Sequence, residues 1–229
     1  MNAAELLIQH AAERRVYESE FEYFEDIAPY LNDYATRYPE ATPQIESWFQ
    51  TLRGSTRKNP TAQFSVQDVV INGCSDLTPI EEQLGIKLPD FFREFYHRIR
   101  GGVLALRNPI VLYDVHDMLD FAKVYQQVDV ENGFPATPTM VLRFARIPPL
   151  PVCFAIRQRT TDGKWRVICL ADENPREEIL DESLWNEDKQ ETMGQWMKRL
   201  LDTDGSPLAI GRSYPRPLWR HDIRRIMTL

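Results

Sequence analysis

The sequence predicts an α+β fold in which helices flank an antiparallel, hairpin-rich sheet. Three observations carry this. Two β-rich runs, PVCFAIRQR and KWRVICLA, are joined by Thr160-Thr161-Asp162-Gly163, a turn-forming stretch that reads as the tip of a hairpin over 151–171. Segments with the 3.6-residue apolar period stand on both sides of that hairpin. Strands and helices do not alternate in the regular manner that a doubly wound parallel sheet requires.

Taken in order, residues 3–27 read as one helix, with Tyr17, Phe21, Phe24 and Ala28 on one stripe and Pro29 ending it or starting the next. Residues 43–53 read as a second helix, with Thr42 as its cap, Pro43 at its first position and Gly54 closing it. The polar stretch GSTRKNPTAQ, residues 54–63, reads as a linker. FSVQDVVI, from Phe64 to Ile71, is a short strand or helix. Thr78-Pro79-Ile80-Glu81 has the pattern of a capping box, opening a helix that stops at Gly85. Pro89 starts another helix with Phe92, Phe95, Tyr96 and Ile99 along one side, ended by Gly101-Gly102. Val111–Tyr113 reads as a strand, 116–127 as a helix and 189–202 as a helix burying Met193, Trp196, Met197 and Leu200. This divides the chain into an N-terminal helical extension (1–53), an α+β domain (64–202) and a basic C-terminal tail (203–229) packed on that domain.

The 229 residues hold 27 basic and 34 acidic side chains, a net charge of −7. An acidic protein is not steered to phosphate backbones, so nucleic acid is not an expected partner. No apolar run approaches the ~20 residues that span a bilayer, so no membrane association is expected. The first fifteen residues lack a basic stretch ahead of an apolar core, and three cysteines are too few for a disulfide scaffold. The expectation is a soluble, reduced, cytoplasmic protein, monomeric when free. The charge is uneven: residues 1–50 carry ten acids and three bases, 170–191 nine acids and two bases, and 205–229 five arginines against Asp222. Glu18, Glu22, Glu25 and Asp26 cluster on one helical face, where like charges at i, i+4 cost ~0.2–0.5 kcal/mol per pair. Such a face either suits a basic partner or is a solvated face that only keeps the protein soluble. Asp172, Glu173, Glu177 and Glu178, just past the hairpin, are the second candidate contact.

Reactive chemistry is sparse. The chain has no phosphate loop, dinucleotide fingerprint, nucleophile elbow or zinc-protease helix, and no catalytic residue, cofactor or metal ligand is expected. Asp114, His116 and Asp117 form the only local cluster with metal-binding residue types, and a helix cap with solvated charge explains it better. Cys153 and Cys169, at similar distances from the hairpin turn, can lie near each other across the strands as reduced thiols. Cys74 has no candidate partner.

Residues 80–102, IEEQLGIKLPDFFREFYHRIRGG, resemble the signature of the SUKH superfamily, which includes cell-wall-assembly regulators of the SMI/KNR type and many bacterial immunity proteins. Glu81, Leu84, Gly85, Leu88, Pro89, Phe92, Phe95, Gly101 and Gly102 fill the pattern; Arg100 stands where family members commonly have Asn. Looser likeness extends over about 64–202. These signature residues are structural: the leucines and aromatics pack, the glycines turn the chain and Pro89 sets a helix start. The resemblance implies a SUKH-like antiparallel sheet flanked by helices. It also implies a non-enzymatic immunity protein that binds a cognate toxin domain and occludes its active site or substrate surface, or alternatively an interaction scaffold of the cell-wall-regulator type.

Overall fold

The computed structural model describes residues 2–11, 13–17, 21–58, 64–131, 141–148, 152–158, 163–171 and 191–205, and the side chains of all these except 21–23, 53–58, 64, 124–131, 170 and 171. The expected helix over 3–27 is broken in two. Helix α1 spans Ala3–His10, strand β1 Arg14–Tyr17 and helix α2 Phe21–Arg37. Asn2 opens α1, its Oδ1 accepting the Ala4 N–H at 2.9 Å. β1 forms because Val16 and Tyr17, a β-branched and an aromatic residue, pair antiparallel with Ser65 and Phe64 of strand β2, Phe64–Gln67. That pairing joins residues some fifty positions apart, so helical periodicity within the segment does not register it. α2 then runs through Pro29, whose ring lies on the exposed side.

A 3₁₀ turn, Pro39–Ala41, leads into helix α3, Thr42–Lys58. Thr42 does not cap it: its hydroxyl donates to the Ala35 carbonyl at 3.4 Å. Nor does Gly54 close it, so 54–58, expected as linker, is helix, and 59–63 lies outside the described residues. Phe64–Ile71 resolves into two strands of different sheets, β2 and β3, Val69–Asn72, with buried Asp68 at the corner between them. Asp68 holds the corner by accepting the Ala105 N–H at 2.6 Å.

Helices α4, Thr78–Leu84, and α5, Asp90–Arg98, follow. The expected capping box is not formed. Asp76 Oδ1 takes the Thr78 N–H at 2.9 Å, while Glu81 accepts the Leu88 N–H at 2.7 Å and pairs with Arg93. Glu81 thus ties α4 to α5 across the Leu88-Pro89 corner. Gly101-Gly102 does not stop a helix either. α5 ends at Arg98 and passes directly into strand β4, Ile99–Leu104, which contains both glycines. Arg100 sits there in extended backbone, paired with Glu40, where no left-handed turn residue is called for.

Strand β5 is Ile110–Leu112, helix α6 Val115–Glu131, and strands β6, β7 and β8 are Val141–Ile147, Val152–Gln158 and Trp165–Ala171. β7 and β8 are the expected hairpin, with Gln158 opposite Trp165 and Val152 opposite Ala171. β6 has no counterpart in the sequence reading, because a register shift between Arg143 and Ala145 breaks its two-residue alternation. Helix α7, Met193–Asp202, begins at a capping box the sequence reading passed over. Gln195 N–H donates to Thr192 Oγ1 at 3.3 Å, and Thr192 N–H to Gln195 Oε1 at 2.9 Å. Thr192→Ala is expected to cost ~1 kcal/mol, read as a lower urea midpoint at unchanged slope.

The six strands β3 to β8 pair antiparallel in chain order, and β1 with β2 forms a separate two-stranded sheet. One buried cluster runs from Ala3 to Leu201 and unites Leu7, Leu31, Tyr34 and Trp48 of the N-terminal helices with Phe92, Phe144, Phe154 and Trp196. α1 packs on α5 and α7, α2 on β4, and α6 on α4 and β6. A second buried cluster, Val141, Cys153, Ala155 and Ile168, lies on the other face of the sheet. Cys153 aligns with Leu170, and Cys169 with Phe154, so the two hairpin cysteines project to opposite faces and do not meet. Both are buried, and neither is in a disulfide. Among the described residues no helix is long and apolar enough to cross a membrane.

Candidate functional site

The N-terminal extension is fastened to the sheet by a polar network centred on Asp114. This residue is wholly buried, and its two oxygens do different work. Oδ1 accepts the Asp117 N–H at 2.9 Å, so Asp114 caps the first turn of α6. Oδ2 receives Arg37 Nη1 at 2.5 Å and the Tyr38 hydroxyl at 2.9 Å. Arg37 also reaches Asp117 at 3.2 Å and pairs with Asp33 one turn back on α2. Beside it the buried Tyr34 hydroxyl donates to the Leu112 carbonyl, and the Arg37 guanidinium lies 5.4 Å from the Tyr34 ring. Burial, and next the Asp114 carboxylate, push Asp117 above the usual carboxylate range, against the pull of Arg37. Burial likewise raises the phenols of Tyr34 and Tyr38. In the Asp114, His116 and Asp117 cluster, the cation between the two carboxylates is a guanidinium. His116 faces solvent.

This network makes α2 a rigid mount for whatever its outer side presents. Glu25, Pro29, Asn32, Asp33 and Thr36 are exposed along it, and Asp26 is partly buried. Of the other acids singled out in the sequence, Glu18, Asp172, Glu173, Glu177 and Glu178 lie outside the described residues, as does the side chain of Glu22. The packing of the basic tail beyond Gly205 lies outside them too. Ile8, 40% exposed, and Val16, 61% exposed, both belong to the extension. They are the large hydrophobic side chains left open to solvent among the described residues.

The signature residues serve the fold. Leu84, Leu88, Phe92 and Phe95 are buried in the main core. Sequence reasoning missed Arg37, Tyr34 and Tyr38 as partners of Asp114 and of the Leu112 carbonyl. Those contacts bridge 76 to 78 residues and leave no local pattern. It also missed the partner of Cys74: Sγ lies 3.0 Å from His97 Nδ1. Beside that pair opens a cleft of about 430 Å³ between the start of α4 and the outer side of α5. At the other end of the sheet, burial raises the Asp68 carboxyl to about 6, opposed by the Ala105 N–H and by Arg15.

Compared with known proteins, the chain matches the family model described as SMI1 / KNR4 family (SUKH-1) over residues 74–192, more than half of its length. No curated protein and no solved structure matches it.

Proposed function

Because the chain belongs to the SMI1 / KNR4 family (SUKH-1), we propose that it is an immunity protein that binds a cognate bacterial toxin domain in the cytoplasm and blocks its active site or substrate surface, without catalysing a reaction itself. One observation carries the choice of contact surface. The extension ahead of the matched residues holds ten acids against three bases in its first fifty residues, together with the exposed Ile8 and Val16. Acidic side chains beside open apolar ones suit a partner whose cleft is basic, as in proteins acting on nucleic acids or nucleotides. The Arg37–Asp114 network supports the same reading, since a surface held rigid loses little entropy on binding.

The test is the triple substitution Glu18→Lys, Glu22→Lys and Glu25→Lys, made with the cognate toxin domain, sought in the neighbouring gene, as partner. The variant keeps its fold, because Glu25 is exposed on α2 and removing the charge of Glu22, four residues before Asp26 on that helix, costs little. Its association rate falls by about tenfold or more at low salt and loses most of its salt dependence. Unchanged kinetics over ~50–300 mM salt would move the contact away from this face. Failure of the neighbouring toxin to bind the wild-type protein, with several unrelated proteins bound instead, would replace immunity by scaffolding.

A further inference from the structure

Cys74 and His97 form a pair that the partner-binding reading leaves unused. The backbone sets their meeting. Gly73 N–H donates to the Arg98 carbonyl at 3.3 Å, and Ser75 N–H donates to the Tyr96 carbonyl at 2.9 Å. Cys74 lies between the two donors and His97 between the two acceptors, so the loop after β3 is pinned against the last turn of α5 with thiol facing imidazole. Both residues are exposed, and Cys74 is the one exposed cysteine of three. His97 Nδ1, 3.0 Å from Sγ, is the base within reach of the thiol proton.

The cleft of about 430 Å³ adjoins the pair through His97 and Ser75. Its wall carries charges of both signs, Arg93 and Arg98 against Asp76 and Glu94, with the hydroxyl of Thr78. Two further charged groups stand nearby. Glu5 of α1 lies 3.7 Å from Arg98, and Arg100 of β4 lies beside Gly73 and pairs with Glu40. Arg93 is already held by Glu81, so a wall of this kind matches a small zwitterionic peptide that offers a carboxylate to Arg98 and an ammonium to the acids.

We propose that Cys74 and His97 are a thiol-exchange site for a low-mass peptide disulfide bearing both carboxylates and an ammonium. The Cys74 proton passes to His97 Nδ1, and the thiolate attacks one sulfur of the disulfide. That S–S bond breaks as a new one forms to Cys74 Sγ, and the departing sulfur leaves as a thiol with the proton from His97. The product is one mixed disulfide per chain.

Oxidised glutathione is the probe, with the full chain and intact-mass detection. One glutathionyl group is expected on Cys74, located by peptide mapping, with Cys153 and Cys169 unmodified. His97→Gln, which removes the base, is expected to slow the reaction at pH 7 by at least about tenfold. Arg98→Gln is expected to slow reaction with oxidised glutathione but not with the uncharged 2-hydroxyethyl disulfide, and both variants should melt like the wild type. No adduct, an adduct on a buried cysteine, or an unchanged rate in His97→Gln would overturn the pair's role. Equal effects of Arg98→Gln on both disulfides would overturn the ligand class.

Discussion

Replacing Arg37 with leucine is expected to destabilise the protein by about 3–5 kcal/mol, the range found when one partner of a buried ion pair is removed. Arg37 is the one basic group on Asp114 among the described residues, and Asp114 has no exposed surface. Without the guanidinium, Asp114 keeps only the Tyr38 hydroxyl and the Asp117 N–H among the described residues, and its charge repels that of Asp117. Asp33 is half exposed and can turn to water, so its part of the network adds little. The control is the double variant Arg37→Leu with Asp114→Asn. Asn preserves the cap on α6 but carries no charge, so the double variant should recover a large part of the loss. Urea denaturation of the four proteins completes the cycle. A cost below about 1 kcal/mol for Arg37→Leu would place the pair among surface ion pairs. The same variant should also free α2 from the sheet, seen as faster amide exchange in α2 than in α5.

Gly102→Ala is expected to cost more than about 4 kcal/mol or to abolish folding, an effect reserved for a few mechanisms, of which backbone overlap is one. A Cβ at Gly102 would stand 2.1 Å from the Val69 carbonyl oxygen and 3.1 Å from the Val70 Cα. Those atoms are backbone of the paired strand, so they cannot step aside without opening β3 from β4. Gly85 gives the contrast. It too has a positive φ, 65°, as the left-handed residue closing α4, but a Cβ there meets nothing within 4 Å. Gly85→Ala should therefore cost only the left-handed conformation itself, ~1–2 kcal/mol. Thermal melts of the two variants separate the cases. Equal melting temperatures would mean that β3 and β4 do not share this register.

The two glycines also show how far the sequence could be read. Gly85 was legible as a helix stop because a left-handed closing residue is a local matter. Gly101-Gly102 was not, because the reason for glycine at 102 is the carbonyl of a strand more than thirty residues earlier. The same divide runs through the fold. The β7–β8 hairpin is legible in the turn-forming sequence Thr160-Thr161-Asp162-Gly163, and the buried side of α5 in the spacing of Phe92, Phe95 and Tyr96. β1 and β6 were hidden, the first because its partner is distant, the second because a bulge spoils its alternation. At the candidate surface the acid excess was legible as composition. The Arg37–Asp114 anchor and the Cys74–His97 pair were not, since each joins residues from separate elements.

The packing of α1 against α7 has a consequence for the making of the chain. α1 leaves the ribosome long before one of the elements it rests on, α7, which spans Met193–Asp202. Until that late helix emerges, α1 lacks part of its cover, even after β3, β4 and β5 have paired. Nascent chains arrested before residue 193 should therefore expose α1 to proteases and hydrophobic-binding chaperones, and release of α7 should end that exposure in a single late step.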